Sequence, residues 1–430
     1  MLDIKFIREN PDKVKEGISK KGADSSLVAQ VLDLDKKRRE LIQQIDTLRA
    51  KKNIAEEKLI QASAETKKEI LDVLKKAKIV LADKETELTE IEREFKHLMS
   101  LIPNLPLPSV PFGHDEKDNV VLKEVGKKPK FNFKPLHYLT LAEKLDIIDV
   151  KRAAKTSGSR FGFLKREGAL LEMALMKFAF DKLTKKGFVP IIPPVMLKSE
   201  PMWAMGYLDR GADEVYHLPK DDLYLIGTSE QIIGAMHADE SFEASELPKR
   251  YISFSTCFRR EAGSYGKDTK GILRVHQFDK AEMFIFSTPE NAQKEHELLL
   301  SLEEELMKSL GLSYRVINIC SGDLGDPAAQ KYDIEAWLPG QNEGQGQYRE
   351  THSTSNCTDY QARRLNIKYK NEKTNTWDFV YTLNGTAFSQ RPILAIIENY
   401  QTKEGFIRIP KVLLPYMGGI KIIKRKLIRS

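Results

Sequence analysis

The sequence predicts an α+β protein: an antiparallel β-sheet core flanked by helices, preceded by a long antiparallel helical hairpin. Two observations carry this expectation. The first hundred of the 430 residues repeat apolar side chains in steps of four and three, whereas from about Pro135 helical stretches alternate with strand-like ones. The helical stretch 170–185 and the strand-like Tyr251-Ile252-Ser253-Phe254-Ser255-Thr256-Cys257-Phe258 and Asp378-Phe379-Val380-Tyr381-Thr382-Leu383 exemplify the second texture. Neither GxxxxGK[ST] nor GxGxxG occurs, so a P-loop or Rossmann nucleotide site is not expected.

The hairpin comes first in the chain. One seam runs Leu27, Val31, Leu34, Leu41, Ile45, Leu48, Ala55, Leu59, interrupted at Arg38 and Lys52. A second runs Ile70, Leu74, Ala77, Leu81, Leu88, Ile91, Phe95, Leu98, Ile102, interrupted at Lys84. Each seam is narrow and covers one side of a helix, so two antiparallel helices covering each other is the economical solution. The polar stretch 61–66 supplies the turn. About 35 residues per helix at 1.5 Å each make an arm on the order of 50 Å long, too thin to hold a pocket. Its tip is basic, with Arg49, Lys51, Lys52, Lys58, Lys67, Lys68, Lys75 and Lys76, whereas Asp83, Glu85, Glu87, Glu90, Glu92 and Glu94 dominate the base. A solvated coiled-coil flank and a grip on an RNA backbone both fit that charge pattern.

Pro103, Pro106, Pro108 and Pro111 end the second helix, since proline cannot donate to a helical ladder. The expected division is therefore 1–102 with an arm over about 27–102, a Pro-rich linker over 103–134, and a mixed α+β domain over 135–430. The composition is that of a globular protein, with 41% hydrophobic and 30% charged residues. Sixty-nine basic against 62 acidic residues leave a net charge of +7, which permits a polyanionic partner without demanding one. The three cysteines Cys257, Cys320 and Cys357 match no zinc spacing and suit a reducing compartment. No apolar run approaches a membrane span and the opening residues begin no signal peptide, so the expected location is the cytoplasm, with no membrane partner.

The densest chemical signal is Phe258-Arg259-Arg260-Glu261-Ala262-Gly263-Ser264-Tyr265-Gly266-Lys267-Asp268-Thr269-Lys270-Gly271-Ile272-Leu273-Arg274-Val275-His276-Gln277-Phe278-Asp279-Lys280-Ala281-Glu282. It reads as a strand, a glycine-rich charged loop and a returning strand, with arginines at both ends of the loop. Arginine is the side chain suited to bidentate contact with phosphate oxygens. This string resembles motif 2 of the class II aminoacyl-tRNA synthetases in its seryl form. Motif 3 is matched over about 378–401 by Thr382-Leu383-Asn384-Gly385-Thr386, Arg391 and Glu398-Asn399-Tyr400-Gln401. Motif 1 is matched over about 187–208, opening Gly187-Phe188-Val189-Pro190. The arm resembles the tRNA-binding extension of the same family, from its opening Met1-Leu2-Asp3-Ile4-Lys5-Phe6-Ile7-Arg8 onward. The resemblance covers nearly the whole chain.

That resemblance implies an enzyme that activates L-serine with ATP and Mg2+ and transfers it to the 3′ end of serine tRNA. It leaves open whether selenocysteine tRNA is a second acceptor. It implies a homodimer through motif 1, no DNA partner, and a tRNA grip by the basic residues of the arm. Arg259 and Arg391 would be the catalytic cations. ATP would be held by these two with Arg260, Glu261, Arg274, Val275, Phe278, Glu350, Thr351, His352 and Ser353. Serine would be held by Thr228, Ser229, Glu230, Arg259, Glu282, Asn384 and Thr386. Glu350 and Ser353 would carry the magnesium ion. The segment Glu350-Thr351-His352-Ser353-Thr354-Ser355-Asn356 departs from the family's E-[IV]-S-S-C-S-N at His352 and Thr354, and the stretch from Asn384 to Arg391 is one residue shorter than the common form. No catalytic base is required of His352, because the serine carboxylate is itself the nucleophile.

Two other functions fit parts of the sequence. A class II paralogue that loads a carrier protein would share the core but lack the long arm, and both seams are present. A catalytically dead RNA-binding protein would have no need to keep Arg259, Glu261, Glu282, Glu350 and Arg391 together.

Overall fold

In the computed structural model, which describes residues 1–262 and 270–425, the chain divides into two compact units, Met1–Pro103 and Asn104–Ser430. The tip of the glycine-rich loop, 263–269, and the tail from 426 lie outside the described residues. No helix among the described residues is long and apolar enough to cross a membrane.

The first unit is dominated by two helices, α1 (Ser26–Gln61) and α2 (Ala64–Leu101), of 36 and 38 residues. Both seams face inward as the heptads require. Val31, Leu34, Leu41 and Ile45 are buried, and toward the tip Leu48, Ala55, Leu59, Leu74 and Ala77 are half-buried. The turn is tighter than the polar stretch suggested. Only Ala62 and Ser63 separate the helices, and the Ser63 hydroxyl accepts from the Thr66 amide as an N-cap. Two of the three residues that interrupt the seams, Arg38 and Lys84, reach a partner on the opposite helix. Arg38 Nε lies 3.2 Å from Glu92 Oε1 on the opposite helix, and its guanidinium lies over the Phe95 ring. Lys84 Nζ donates to Gln44 Oε1 at 2.6 Å, and Lys52 pairs with Glu56 one turn on. Polar seam positions that have one correct partner specify register at some cost in stability.

The second unit is built on an eight-stranded sheet. In chain order its strands are β1 (Val120–Val125), β2 (Val189–Ile191), β3 (Lys249–Phe258), β4 (Gln277–Ser287), β5 (Tyr314–Asn318), β6 (Gln330–Leu338), β7 (Gln347–Asn356) and β8 (Tyr381–Ser389). Their spatial order is β1-β5-β6-β7-β8-β4-β3-β2, antiparallel throughout except where β2 runs parallel to β3. Three helices, α3 (Glu167–Thr184), α4 (Pro289–Leu310) and α5 (Arg391–Asn399), contribute to one core with the sheet. Leu171, Leu175, Leu299, Leu306, Ile393 and Ile397 pack with Met283, Ile285, Leu383 and Phe388 there. Alternation along β4 sends Ala281, Met283 and Ile285 to this core and leaves Phe278, Lys280 and Glu282 for the opposite face. Gly385 on β8 permits the close approach of α4, since a Cβ there would come within 3.1 Å of Glu303 Oε1 and 3.2 Å of Thr354 Oγ1.

Two expectations are corrected here. The segment 103–134 is not a free linker: it carries β1, which extends the sheet by pairing with β5, and Asn104 donates to the carbonyls of Pro327 and Cys357 at 2.9 and 2.8 Å. Prolines end the helix as expected, but the chain beyond them contains the alternating Val120–Val125, which supplies an edge strand. The strand-like run 378–383 is split at Val380 between β8 and the short strand Thr376–Phe379, which belongs to a separate three-stranded sheet.

Candidate active site

A cleft of about 770 Å³ opens on the face of the sheet away from the helices, over β3, β4, β8, β7 and β6. Its lining brings together residues that lie far apart in sequence: Thr228 and Glu230; Arg259 and Glu261; Arg274, Phe278 and Glu282; Glu350, Thr351 and Ser353; and Asn384, Thr386 and Arg391.

The hairpin β3–β4 sets the arginines. Below the loop, the Arg259 amide donates to the His276 carbonyl at 2.9 Å and His276 Nδ1 lies 3.0 Å from the Arg259 carbonyl, a closed rung that fixes the strand ends. Arg259 Nε then donates to the Gly227 carbonyl at 3.1 Å, and its guanidinium lies 5.2 Å from the Phe278 ring centroid. Arg274 Nη1 sits 2.7 Å from Glu261 Oε2. Phe278 presents an aromatic face to the cleft, and Val275 lines it nearby.

A second cluster is acidic and rigid. Glu230 is buried and accepts from the Tyr207 hydroxyl and from Gln361 Nε2, both at 2.9 Å. Glu282 is buried beside Lys280, whose Nζ is 2.6 Å from Glu282 Oε2, and the Thr386 hydroxyl donates to the same oxygen at 3.5 Å. Burial pushes the Glu282 carboxyl up from its usual value, and Lys280 opposes that shift. Thr228, Asn384 and Thr386 add small polar groups to the same region.

Strand β7 supplies the third cluster through an irregularity. Ile334 pairs with His352 and Glu335 with Glu350, which leaves Thr351 as an extra residue on β7. Plain alternation would put Glu350 and Ser353 on opposite faces. The bulge resets the count, so both reach the cleft. Glu350 Oε1 lies 3.0 Å from Arg391 Nη1, which also donates to the Glu350 carbonyl. Burial alone would raise the Glu350 carboxyl, but the charges of Arg391 and Lys331 outweigh it and hold the group at about 2. Among the described residues no three His, Cys, Asp or Glu side chains converge as a metal cage. A divalent ion at Glu350 and Ser353 would therefore need ligand oxygens to complete its shell, which is the habit of magnesium bound to phosphates.

Three expected site residues lie elsewhere. His352 is buried on the helix side of the bulge, with Nδ1 2.8 Å from the Thr351 hydroxyl and its ring against Phe388. Ser229 is buried beneath the cleft, where its hydroxyl meets that of Ser253 at 2.7 Å. Arg260 is exposed, its guanidinium over the Tyr216 ring while its amide donates to the Glu214 carbonyl. In each case the side chain sits one position out of phase with neighbours that do face the cleft. Conversely, Tyr207, Lys280, Lys331 and Gln390 all line the cleft, although none is among the site residues expected from sequence. Lys280 could be found from alternation, lying midway between Phe278 and Glu282. Tyr207 and Lys331 carry no local signal.

The comparisons with known proteins decide the family. Residues 215–400 match the model described as tRNA synthetase class II core domain (G, H, P, S and T), and residues 1–106 match the seryl-tRNA synthetase N-terminal domain. The serine–tRNA ligase of Leifsonia xyli is 46% identical over 424 residues, covering 99% of each chain. The chain belongs to the seryl-tRNA synthetase family of class II ligases. Its fold agrees closely with solved members. The crystal structure of seryl-tRNA synthetase from Pyrococcus horikoshii complexed with ATP superposes with a TM-score of 0.92 at 40% identity, covering 99% of this chain and 100% of that one. The cytoplasmic serine–tRNA ligase from Naegleria fowleri in complex with AMP gives 0.87 at 36% identity, covering 99% of both.

The position of His352 makes a prediction. Burial holds its imidazole down at about 4, below the ordinary 6.5, so the folded state favours the neutral ring. Its contribution to stability is then full above pH 6.5 and is lost as the pH falls from 6.5 through about 4. Urea unfolding measured against pH should show that loss, and His352→Gln should flatten it while leaving ATP affinity unchanged. A variant that melts normally but no longer binds ATP would return the ring to the nucleotide site.

Proposed function

We propose that the chain is a working serine–tRNA ligase that makes seryl-adenylate and then seryl-tRNA in this one cleft. The observation that carries the reading is the convergence of Arg259 and Arg391, an acidic pair at Glu230 and Glu282, and the oxygen ligands Glu350 and Ser353 within one cavity. In the first step the serine carboxylate forms a bond to the α-phosphorus of ATP, and the bond to pyrophosphate breaks. Arg259, fixed by the closed rung at its backbone, neutralises charge on the α-phosphate and the attacking carboxylate. Arg391 takes charge from the outer phosphates, exchanging its Glu350 partner for them. Phe278 offers a stacking face for adenine, and Glu261, held by Arg274, presents a carboxylate to its edge. Glu350 and Ser353 would hold magnesium, which would supply positive charge to offset that of the phosphates.

Serine is bound in this reading by its ammonium at Glu230 and Glu282 and by its hydroxyl among Thr228, Thr386 and Asn384. A hydroxyl partner left unpaired by alanine costs far more than a lost methylene, so alanine is refused strongly and threonine by size. In the second step a ribose hydroxyl of the tRNA attacks the activated carbonyl, and AMP leaves. No side-chain nucleophile is needed; positioning and charge neutralisation carry the rate. We place the enzyme in the cytoplasm, with serine tRNA as its partner.

Serine-dependent ATP–pyrophosphate exchange, run beside alanine and threonine, tests the substrate. Exchange is expected with serine and not the others. Arg259→Ala and Arg391→Ala should each lower it by about one to three decades with unchanged melting. Near-normal exchange in either variant would remove that arginine from the mechanism.

The arm supports the tRNA half of the reading. Lys51, Lys58, Lys67, Lys68, Lys75 and Lys76 are exposed along it, whereas Arg49 and Lys52 are committed to Glu85 and Glu56. Replacing residues 50–78 by a short turn should leave exchange intact and sharply weaken aminoacylation. Neutralising Lys51, Lys67, Lys68 and Lys75 should make tRNA affinity less dependent on salt. Equal aminoacylation in the truncated chain would reduce the arm to an appendage.

The homodimer is supported by an apolar strip around motif 1. Leu170 and Met173 on α3, Val189 on β2, and Ile192 and Met196 after it are exposed, with Ile192 at 80%. Such a strip marks an interface more often than open surface. Light scattering should give twice the chain mass at micromolar concentration; an active monomer would contradict the reading.

A further inference from the structure

The cleft floor contains a cation to which the adenine and serine readings give no task. Lys331 lies on β6, its Nζ 3.2 Å from Asp333 Oδ2, with a quarter of its side chain exposed. The register of β6 against β7 puts Lys331 opposite Ser355 and Asp333 opposite Ser353. Lys331, Ser353 and Ser355 all line the cleft, together with Glu350 and Arg391. The ammonium therefore stands on the same side of the sheet as the proposed magnesium ligands. It is aimed along the sheet by Asp333, its neighbour two residues on.

Packing does not account for this pair. A buried lysine and aspartate gain little over apolar side chains of similar size, because desolvation offsets their attraction. Here Lys331 lines the cleft and Asp333, buried beside it, shares its face of the strand, whereas the adjacent Tyr332 and Ile334 alternate away from it. Three other cations of the cleft lie beside a carboxylate at rest: Arg274 beside Glu261, Arg391 beside Glu350 and Lys280 beside Glu282. The Lys331–Asp333 pair completes that series at the end where phosphates would lie.

We propose that Lys331 is a further catalytic residue of the adenylation step, with Asp333 as its positioning residue, and that its ammonium takes up negative charge on the phosphates of the bound nucleoside triphosphate. The inference rests on the ligase reading for the reaction, though not for binding. The oxygen–phosphorus bond to serine forms and the bond to pyrophosphate breaks. The electron pair departs with pyrophosphate, and Lys331 stays protonated throughout. It acts as a charge beside Arg259 and Arg391 rather than as a proton donor.

The test uses the full chain with Lys331→Met, Lys331→Arg and Asp333→Asn. ATP, AMP and adenosine are titrated by calorimetry, and serine-dependent exchange and melting are measured alongside. Lys331→Met should lower kcat for exchange by about one to three decades with the KM for serine unchanged. It should weaken ATP by about tenfold or more and leave adenosine unaffected, since adenosine carries no charge to neutralise. Lys331→Arg should recover most of both effects, and Asp333→Asn should fall between. ATP affinity and exchange near those of the native chain in Lys331→Met would overturn the proposal. So would equal weakening of ATP and adenosine together with a lower melting temperature, which would make the pair structural. If the ligase reading itself is wrong, the native chain will show no serine-dependent exchange, and the contrast between ATP and adenosine still decides the role of Lys331.

Discussion

An antiparallel sheet gives each strand two faces and no choice about which residues share one. In this protein one face must satisfy three helices and the other must hold charge, so every central strand carries two incompatible chemistries in alternation. On β4 this is Met283 and Ile285 against Lys280 and Glu282. The apolar half contributes most of the stabilisation, since burial of nonpolar surface is the dominant favourable term. The charged half is tolerated because it is attached to a core that cannot turn over without exposing that surface. A one-residue slip of β4 would bury Lys280 and Glu282 under α3 and α4. The precision of the site is thus inherited from the register of the sheet.

The charges at rest are nearly self-neutralising. Arg274, Arg391, Lys280 and Lys331 each lie beside a carboxylate, while Arg259 is held by a carbonyl and an aromatic ring. Paired groups lower the desolvation cost of keeping these cations around one cavity. Of the cleft cations, Arg259 is the one least tied to a carboxylate among the described residues. Glu303, wholly buried behind β8 on α4, shows the opposite situation. Its carboxyl is pushed well above the ordinary range by burial and by the neighbouring Glu282 and Asp333, all of which favour its protonated form.

How much of this was legible in the sequence depends on whether a signal was periodic. The two seams of the arm were readable, because heptads repeat and even the interruptions at Arg38, Lys52 and Lys84 had positions to violate, although the turn between them is tighter than its polar stretch suggested. The arginine hairpin was readable because its residues are contiguous. The faces of β7 were not. Nothing local distinguishes the bulge at Thr351 from regular strand, and that single extra residue decides that Glu350 faces the cleft and His352 does not. The side chains of Ser229 and Arg260 turn away from the cleft for the same kind of reason, each adjacent to a residue that does point inward. Tyr207 and Lys331 come from segments that meet the motifs only in three dimensions. The strand at 120–125 was hidden by the prolines before it, which mark the end of a helix but leave the conformation of the next twenty residues open.

The polar interruptions of the two seams have a consequence for how such an arm can change. Arg38 must find Glu92 and Lys84 must find Gln44, so the helices tolerate one alignment. Insertions that respect the seam come in sevens, and an insertion in one helix must be answered by an equal one in the other. A residue added alone rotates everything beyond it by about 100° and turns apolar positions to water. The distance over which the projection reaches therefore changes most easily in steps of about 10 Å, one matched pair of heptads at a time, whereas insertions of three or four residues must be absorbed by local winding of the coil.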